Sequence, residues 1–248
     1  MKFLFVALVL QLTLSDAMHN SEPAENLPYY AYVTFVNAQM EFYGGGALIS
    51  GIHVLTCGAN VQGFTMWRVS VGSNRRSQHQ NFITTQAVAH PNYAEANNVR
   101  MNDIGIITLL QPVVFSASIF PIALGPVFGD EEPSPMLNIQ SLIMGFAGNL
   151  TAGTQGLENL TQGHVRTTDV ATCVALYPAS DLIQHFCAED RSVGSNFCLG
   201  DQGGPVTTMA RGREIMVGIQ SLPGCTIRPS LYIRVSSYRE WIRSETGV

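Results

Sequence analysis

Short runs of β-branched and aromatic residues, separated by Gly, Pro, Asn and Asp, recur between residues 29 and 235. Such runs, with partial alternation of apolar and polar side chains, are typical of half-buried strands. Few stretches follow a helical period, so the sequence predicts an all-β sandwich or barrel. The predicted strands are residues 29–35, 44–50, 53–56, 67–71, 83–88, 104–110, 142–146, 205–208, 215–219 and 231–235.

The clearest helical pattern lies near the C-terminus. Apolar residues occur there at positions 235, 238, 241 and 242, at intervals of three, three and one. Ser236 and Ser237 are good N-cap residues at the start of this pattern. The pattern therefore predicts a C-terminal α-helix.

The first 17 residues have the features of a secretory signal peptide. Lys2 precedes an apolar run from Phe3 to Leu14, and small residues near Ala17 make a plausible cleavage point. The apolar run is shorter than the roughly 20 residues needed to span a bilayer. We therefore expect residues 1–17 to be removed, residues 18–248 to form one domain that starts at Met18, and the protein to be secreted, with no membrane span.

The net charge of -5 argues against a basic surface for nucleic acid or heparin. No motif predicts a metal site or a cofactor. Two sequons begin at Asn149 and Asn159, in a stretch rich in Gly, Thr and Gln. In a secreted chain they predict N-linked glycans on a solvent-facing loop, although such sequons also occur by chance.

Several motifs, in this order, resemble those of trypsin/chymotrypsin-type serine proteases. The resemblance covers nearly the whole of residues 18–248 and implies two six-stranded antiparallel β-barrels with a C-terminal α-helix. The motifs are Gly45-Gly46-Ala47-Leu48-Ile49, His90-Pro91-Asn92-Tyr93, Asn102-Asp103-Ile104, a degenerate Gly145-Phe146-Ala147, Cys198-Leu199-Gly200-Asp201-Gln202-Gly203-Gly204-Pro205, Gly218-Ile219-Gln220-Ser221 and Tyr232-x-x-Val235.

Five cysteines in a secreted chain imply two disulfides and one remaining thiol, but their spacing does not establish which residues pair. The resemblance implies that Cys173 pairs with Cys187 and that Cys198 pairs with Cys225. Cys57 is then left over. It is either a buried free thiol that acts as a small apolar residue, or one half of an intermolecular disulfide.

The resemblance also indicates where a catalytic triad would lie. Gln202 stands where the family has its nucleophilic serine, and Ala59 stands where it has its general-base histidine, whereas Asp103 matches the triad aspartate. A histidine cannot activate an amide as a nucleophile, and alanine has no proton acceptor in its side chain. We therefore expect no catalytic residue, and we interpret Asp103 as an inherited buried carboxylate held by backbone donors.

Two further parts of the family's site have counterparts here. The backbone N–H groups of Gly200 and Gln202 match its oxyanion hole and could still bind a carbonyl or a carboxylate. The matching specificity pocket has Asn196 at its base and Ser230 at a wall position. In the segment that would pair with substrate, Ser221 is followed two residues later by Pro223, which lacks an N–H donor. These changes indicate either drift at an unused site or a cleft remodelled for another ligand.

Asp201 matches the aspartate that binds the new N-terminal ammonium group when family members are activated. The chain lacks the usual activation sequence, since Met18-His19-Asn20-Ser21 stands where Ile-Val-Gly-Gly is expected. We therefore hypothesise that the Met18 amine, released by signal cleavage, pairs with Asp201.

The resulting interpretation is a secreted, non-catalytic protease homologue that acts by binding a protein partner. Such a protein could be a regulatory cofactor, a decoy, or a defence or secretory protein. The first alternative is an atypical hydrolase that combines Asp103 with a histidine from another loop. The second is an inert, abundant secretory or storage protein.

Overall fold

The computed structural model describes residues 18, 20–38, 40–126, 138–146, 157–190, 192, 194–225 and 229–248. The expected signal peptide and the sequon asparagine Asn149 lie outside these residues. In the first half of the chain the strands are β1 (Glu22–Pro23), β2 (Tyr30–Val36), β3 (Glu41–Leu48), β4 (His53–Thr56), β5 (Met66–Val71), β6 (Gln80–Thr84), β7 (Gln86–Ala89), β8 (Ala94–Ala96), β9 (Val99–Met101) and β10 (Gly105–Thr108).

The remaining elements follow in the second half. They are β11 (Ala123–Leu124), β12 (Gln140–Gly145), β13 (Thr161–Thr167), helix α1 (Val170–Leu176), β14 (His185–Glu189), β15 (Pro205–Ala210), β16 (Arg213–Leu222), β17 (Ser230–Arg234) and helix α2 (Arg239–Thr246).

The first barrel is one sheet in the order β6-β5-β2-β3-β4-β10-β7, with every pairing antiparallel. Its two end strands, β6 and β7, are separated in sequence by Thr85 alone. The run predicted as one strand, residues 83–88, therefore lies in two pieces on either side of this residue. Because a single bent segment forms both ends of the sheet, the sheet curls around on itself.

Strand β2 shows why this barrel packs against the second one. Six of its seven residues are buried, whereas a half-exposed strand would bury every other residue. Ala31, Val33 and Phe35 pack in the interior of the first barrel. The alternate residues Tyr30 and Tyr32 belong to a cluster that also contains residues of the second half of the chain.

The second barrel is closed and six-stranded. Its strands follow the order β13-β12-β15-β16-β17-β14, and pairing between β13 and β14 completes the circle. The interior is filled by apolar side chains, which include Ile143, Phe186, Phe197 and Tyr232. The predicted all-β architecture of two barrels with a C-terminal helix is thus confirmed.

The α2 helix packs Ile242 into the cluster between the barrels. Its predicted start is wrong: Ser236 and Ser237 lie in a 3₁₀ turn, Val235–Tyr238, that precedes the α-helix. The residue before α2 is Tyr238, and no side chain caps the helix. The Ser237 hydroxyl donates instead to the Ile183 carbonyl.

Two disulfides are present, Cys173–Cys187 and Cys198–Cys225, with Cα–Cα distances of 5.5 and 4.7 Å. These are the pairs that the resemblance implied. Cys57 is unpaired and its side chain is fully buried in the cluster between the barrels. Within the described residues, no helix has the length and apolar character of a membrane span.

Candidate functional site

The residues matched to a catalytic triad lie in the cleft between the barrels. Ala59 belongs to the 3₁₀ turn Gly58–Asn60 that follows β4, and Asp103 follows β9. The Ala59 N–H donates to Asp103 Oδ1 at 2.8 Å, and the Ser221 hydroxyl donates to Asp103 Oδ2 at 2.6 Å. Gln202 lines the same cavity as Ala59. The structure therefore brings Ala59, Asp103, Ser221 and Gln202 into one region.

The Asp103 carboxylate is fully buried. Burial raises its pKa above the usual value, while the Ser221 hydroxyl, the positive charge of Arg100 and the Ala59 N–H act in the opposite direction. The carboxylate is held by one hydroxyl as well as by a backbone donor. The sequence led us to expect backbone donors, and these account for one of the two hydrogen bonds described here.

Sequence reasoning did not identify Arg100, which lies in β9 three positions before Asp103. Its Nη1 donates to the Ser221 carbonyl at 3.2 Å, and its Nε donates to Glu95 Oε2 at 3.4 Å. The side chain is 19% exposed and lines the cavity beside Ala59. A single arginine in a polar stretch belongs to no recognisable motif. Only the folded structure shows that Arg100 lies beside the candidate site.

The Gln202 side chain lies against the candidate oxyanion hole. The Gly200 N–H donates to Gln202 Oε1 at 2.6 Å. Since one N–H carries one hydrogen, this donor is already engaged. In this conformation the Gln202 amide oxygen occupies the Gly200 donor. Binding of a ligand carbonyl or carboxylate by the Gly200 and Gln202 N–H groups stays a prediction.

The Gln202 backbone is also held from the first barrel. Its carbonyl accepts from the Gly45 N–H at 2.8 Å and from Asn60 Nδ2 at 2.8 Å. A side chain at Gly44 would meet Asn60 Nδ2 at 2.6 Å and the Gln202 carbonyl at 2.6 Å. Asn60 thus fills the space next to Gly44 and ties the Gln202 loop to β3.

The residues matched to the specificity pocket bond to one another. Asn196 and Ser230 are buried, and the Ser230 hydroxyl donates to Asn196 Oδ1. The Gly224 N–H donates to the Ser230 hydroxyl at 2.7 Å. Pro223 follows the end of β16 and is half-buried. These internal hydrogen bonds engage the Ser230 hydroxyl and Asn196 Oδ1.

Asp201 is fully buried, and its Oδ2 accepts from the Cys198 N–H at 3.1 Å. The Met18 side chain is fully buried with Phe197 in the interior of the second barrel. The amine of Met18 is free only if the chain is cut before it. Pairing of that amine with Asp201 stays a prediction.

Five of the six histidines lie in the described part of the chain, and none of the five lines the cavity. His185 is buried, and its ring nitrogens contact the backbone carbonyl oxygens of Asp181 and Arg100, each at 2.9 Å. Among the described residues, no group of three or more His, Cys, Asp or Glu side chains could hold a metal ion. Asn159, the sequon asparagine within the described chain, is exposed.

A cavity of about 550 Å³ opens beside these residues. Aromatic side chains from the first half of the chain form much of its wall, and Arg100, Ala59, Gly200 and Gln202 also line it. The Phe35 and Phe64 rings meet edge to face with centroids 4.6 Å apart. The aromatic residues of the wall are Tyr32, Phe35, Phe42, Tyr43 and Phe64.

Sequence comparison with known proteins adds three findings. Residues 18–242 match the family model described as Trypsin. The chain is 26% identical to Trypsin 5G1 of Aedes aegypti over 233 residues, which cover 91% of this chain and 83% of that protein. It is 30% identical to Vitamin K-dependent protein C of Mus musculus over 214 residues, which cover 82% of this chain but only 46% of that protein.

A solved structure described as "Structure of GrC" superposes with a TM-score of 0.77, covering 92% of this chain and 99% of the other. The sequence identity to it is 20%, so this likeness establishes the fold alone.

Proposed function

Because the chain belongs to the trypsin family of serine proteases, we propose that it is a secreted member that acts by binding and not by hydrolysis. The proposal rests above all on the hydrogen bond from the Gly200 N–H to Gln202 Oε1, at 2.6 Å. The residue at the nucleophile position is an amide, which a neighbouring base cannot activate. Its oxygen also takes one donor of the hole in which a developing oxyanion would be stabilised.

The position of the general base supports the same conclusion. Ala59 contributes only a methyl group to the cavity, and its N–H is engaged by Asp103. Proton abstraction needs an acceptor within hydrogen-bond reach of the nucleophile. None of the described histidines lines this cavity, so Asp103 has no imidazole there to orient.

Substrate binding in the family manner is opposed as well. An extended peptide would pair with the backbone that follows Ser221. The Ser221 carbonyl already accepts from Arg100 Nη1 at 3.2 Å, and Pro223 offers no N–H. In the candidate specificity pocket, the Ser230 hydroxyl is engaged by Asn196 and is not free to bind a substrate side chain. Catalysis and substrate positioning are therefore both affected.

Secretion is supported by the signal-like segment 1–17 and by two disulfides, which fit an oxidising compartment. Within this proposal the chain is a regulatory cofactor, a decoy, or a defence or secretory protein, and its partner is a protein. A pull-down from the source fluid, followed by mass spectrometry, identifies that partner. An atypical hydrolase on the same fold is the competing function.

The test is active-site labelling and turnover by the purified mature protein. We expect no covalent adduct with a serine-directed phosphonate and no hydrolysis of peptide or ester substrates above that of buffer. An active trypsin at equal concentration is the positive control. Adduct formation refutes the proposal. Hydrolysis that resists the phosphonate and disappears in Asp103→Ala establishes the atypical hydrolase instead.

A further inference from the structure

We propose that the cavity beside Gln202 binds a small monocarboxylate with an apolar, ring-sized body. This inference rests on the proposed binding function and specifies the chemistry of one ligand. The aromatic wall of the cavity consists of Tyr32, Phe35, Phe42, Tyr43 and Phe64. The candidate donor residues are Arg100 and Gln202.

The aromatic wall suits an apolar, flat ligand. Phe42 and Phe64 have ring centroids 5.5 Å apart, and Phe42 is 36% exposed although it is a large apolar residue. Leu199, which is 53% exposed, also lines the cavity. An apolar ligand in this opening would remove these exposed apolar side chains from water, which is favourable.

Arg100 supplies a cationic donor. Its Nε and Nη1 have protein partners, but among the described residues Nη2 has no hydrogen-bond partner. The side chain is only 19% exposed, so the guanidinium is partly removed from water. A partly desolvated guanidinium with donors to spare favours a carboxylate, since hydrogen bonds between ionised groups are stronger than neutral ones.

Gln202 adds a neutral donor. Because Gln202 Oε1 accepts from the Gly200 N–H, its amide nitrogen carries the two hydrogens, and no hydrogen bond engages this nitrogen within the described chain. Arg100 Nη2 and Gln202 Nε2 therefore both keep hydrogens that no described residue accepts, and a carboxylate has two acceptor oxygens.

Ion pairs offset the charges of Glu41 and Arg100, the two charged residues that line the cavity. Glu41 pairs with Arg68 at 2.7 Å, and both side chains are about half exposed. Arg100 is in turn paired with Glu95, at 3.4 Å. The volume of about 550 Å³ lies within the range of roughly 300–1000 Å³ that small-molecule sites occupy.

The experiment compares two probes of the same shape, 2-naphthoate and its neutral amide, 2-naphthamide, by isothermal titration calorimetry on the mature protein. We expect 2-naphthoate to bind at one site, and 2-naphthamide to bind about tenfold more weakly or worse, because hydrogen bonds to a charged group are worth about this factor. Arg100→Gln is expected to weaken 2-naphthoate to the level of the amide.

The matched control is Arg213→Gln, which removes the same charge at an exposed position of β16, away from the cavity. It should leave both affinities within about twofold. Phe64→Ala should weaken both probes by a similar factor, because it shortens the aromatic wall without changing charge. If Arg100→Gln fails to fold, the inference is still tested by comparing the two probes on the wild-type protein and on Phe64→Ala.

Equal affinity of the wild type for the two probes overturns the inference, as does an Arg100→Gln variant that folds and still prefers 2-naphthoate. A protein that neither hydrolyses substrate nor binds 2-naphthoate refutes the cavity assignment and leaves the proposed function intact. A protein that takes the phosphonate label refutes the proposed function, whatever its affinity for the naphthyl probes.

Discussion

Asn60 connects the Gln202 loop to the first barrel, and Asn60→Ala tests the strength of that connection. The Asn60 side chain is 4% exposed, and its Nδ2 donates to the Gln202 carbonyl at 2.8 Å and to Thr56 Oγ1 at 3.0 Å. After the change neither acceptor is isolated, because the Gln202 carbonyl keeps the Gly45 N–H at 2.8 Å and the Thr56 hydroxyl keeps the Gly45 carbonyl at 2.7 Å.

The expected loss is therefore that of two net hydrogen bonds, about 1 kcal/mol each, plus a small cavity, which makes about 2–3 kcal/mol in all. Asn60→Asp should cost more at neutral pH, because it removes the same donor and buries a carboxylate against the Gln202 carbonyl. The exposed bond from Asn26 to the Ala117 carbonyl provides the control, and Asn26→Ala should cost about 0.5 kcal/mol or less.

Urea unfolding followed by tryptophan fluorescence measures these differences. Trp67 is a suitable probe because its indole Nε1 donates to the Asn60 carbonyl at 2.9 Å. If Asn60→Ala is as stable as Asn26→Ala, or if Asn60→Asp is no less stable than Asn60→Ala, the assigned role of this side chain is wrong.

Three further predictions concern buried groups. Burial raises the pKa of Asp103 in the folded protein. Protonated Asp103 therefore stabilises the fold at pH values below its unfolded-state pKa, and this stabilisation is lost as the pH rises through its folded-state pKa. Asp103→Asn should therefore flatten the pH dependence of the unfolding free energy from about pH 4 upward, and an unchanged slope contradicts this. Gly145→Ala should prevent folding or cost roughly 3 kcal/mol or more, because the added carbon overlaps the Asp201 carboxylate. In the control Gly51→Ala the added carbon meets no atom closer than 3.7 Å, so its thermal unfolding and its yield should match those of the wild type. The Cys57 thiol is fully buried, and that burial raises its pKa. An aromatic disulfide reagent should therefore react with it only after denaturation. Rapid reaction of the native protein would contradict the buried position of this thiol.

Much of the fold follows from local patterns. Residues 53–56 form a strand with the predicted bounds, and most of the other predicted strands are present with ends shifted by a few residues. Strand β13 was missed because its sequence, Thr161–Thr167, is mostly polar and shows no clear apolar alternation. It is a strand because β12 and β14 pair with it on either side and close the barrel.

The amino-acid sequence by itself determined the all-β class through its strand patterns, and the order of its motifs carried the resemblance that implied two barrels and marked the triad positions. Strand alternation and short motifs are local properties of the chain. Only the tertiary structure decided what surrounds those positions. Arg100 meets the Ser221 carbonyl across 121 positions of sequence, and Asn60 meets the Gln202 carbonyl across 142. Such contacts depend on how two barrels pack, and no periodicity or motif within either barrel encodes them.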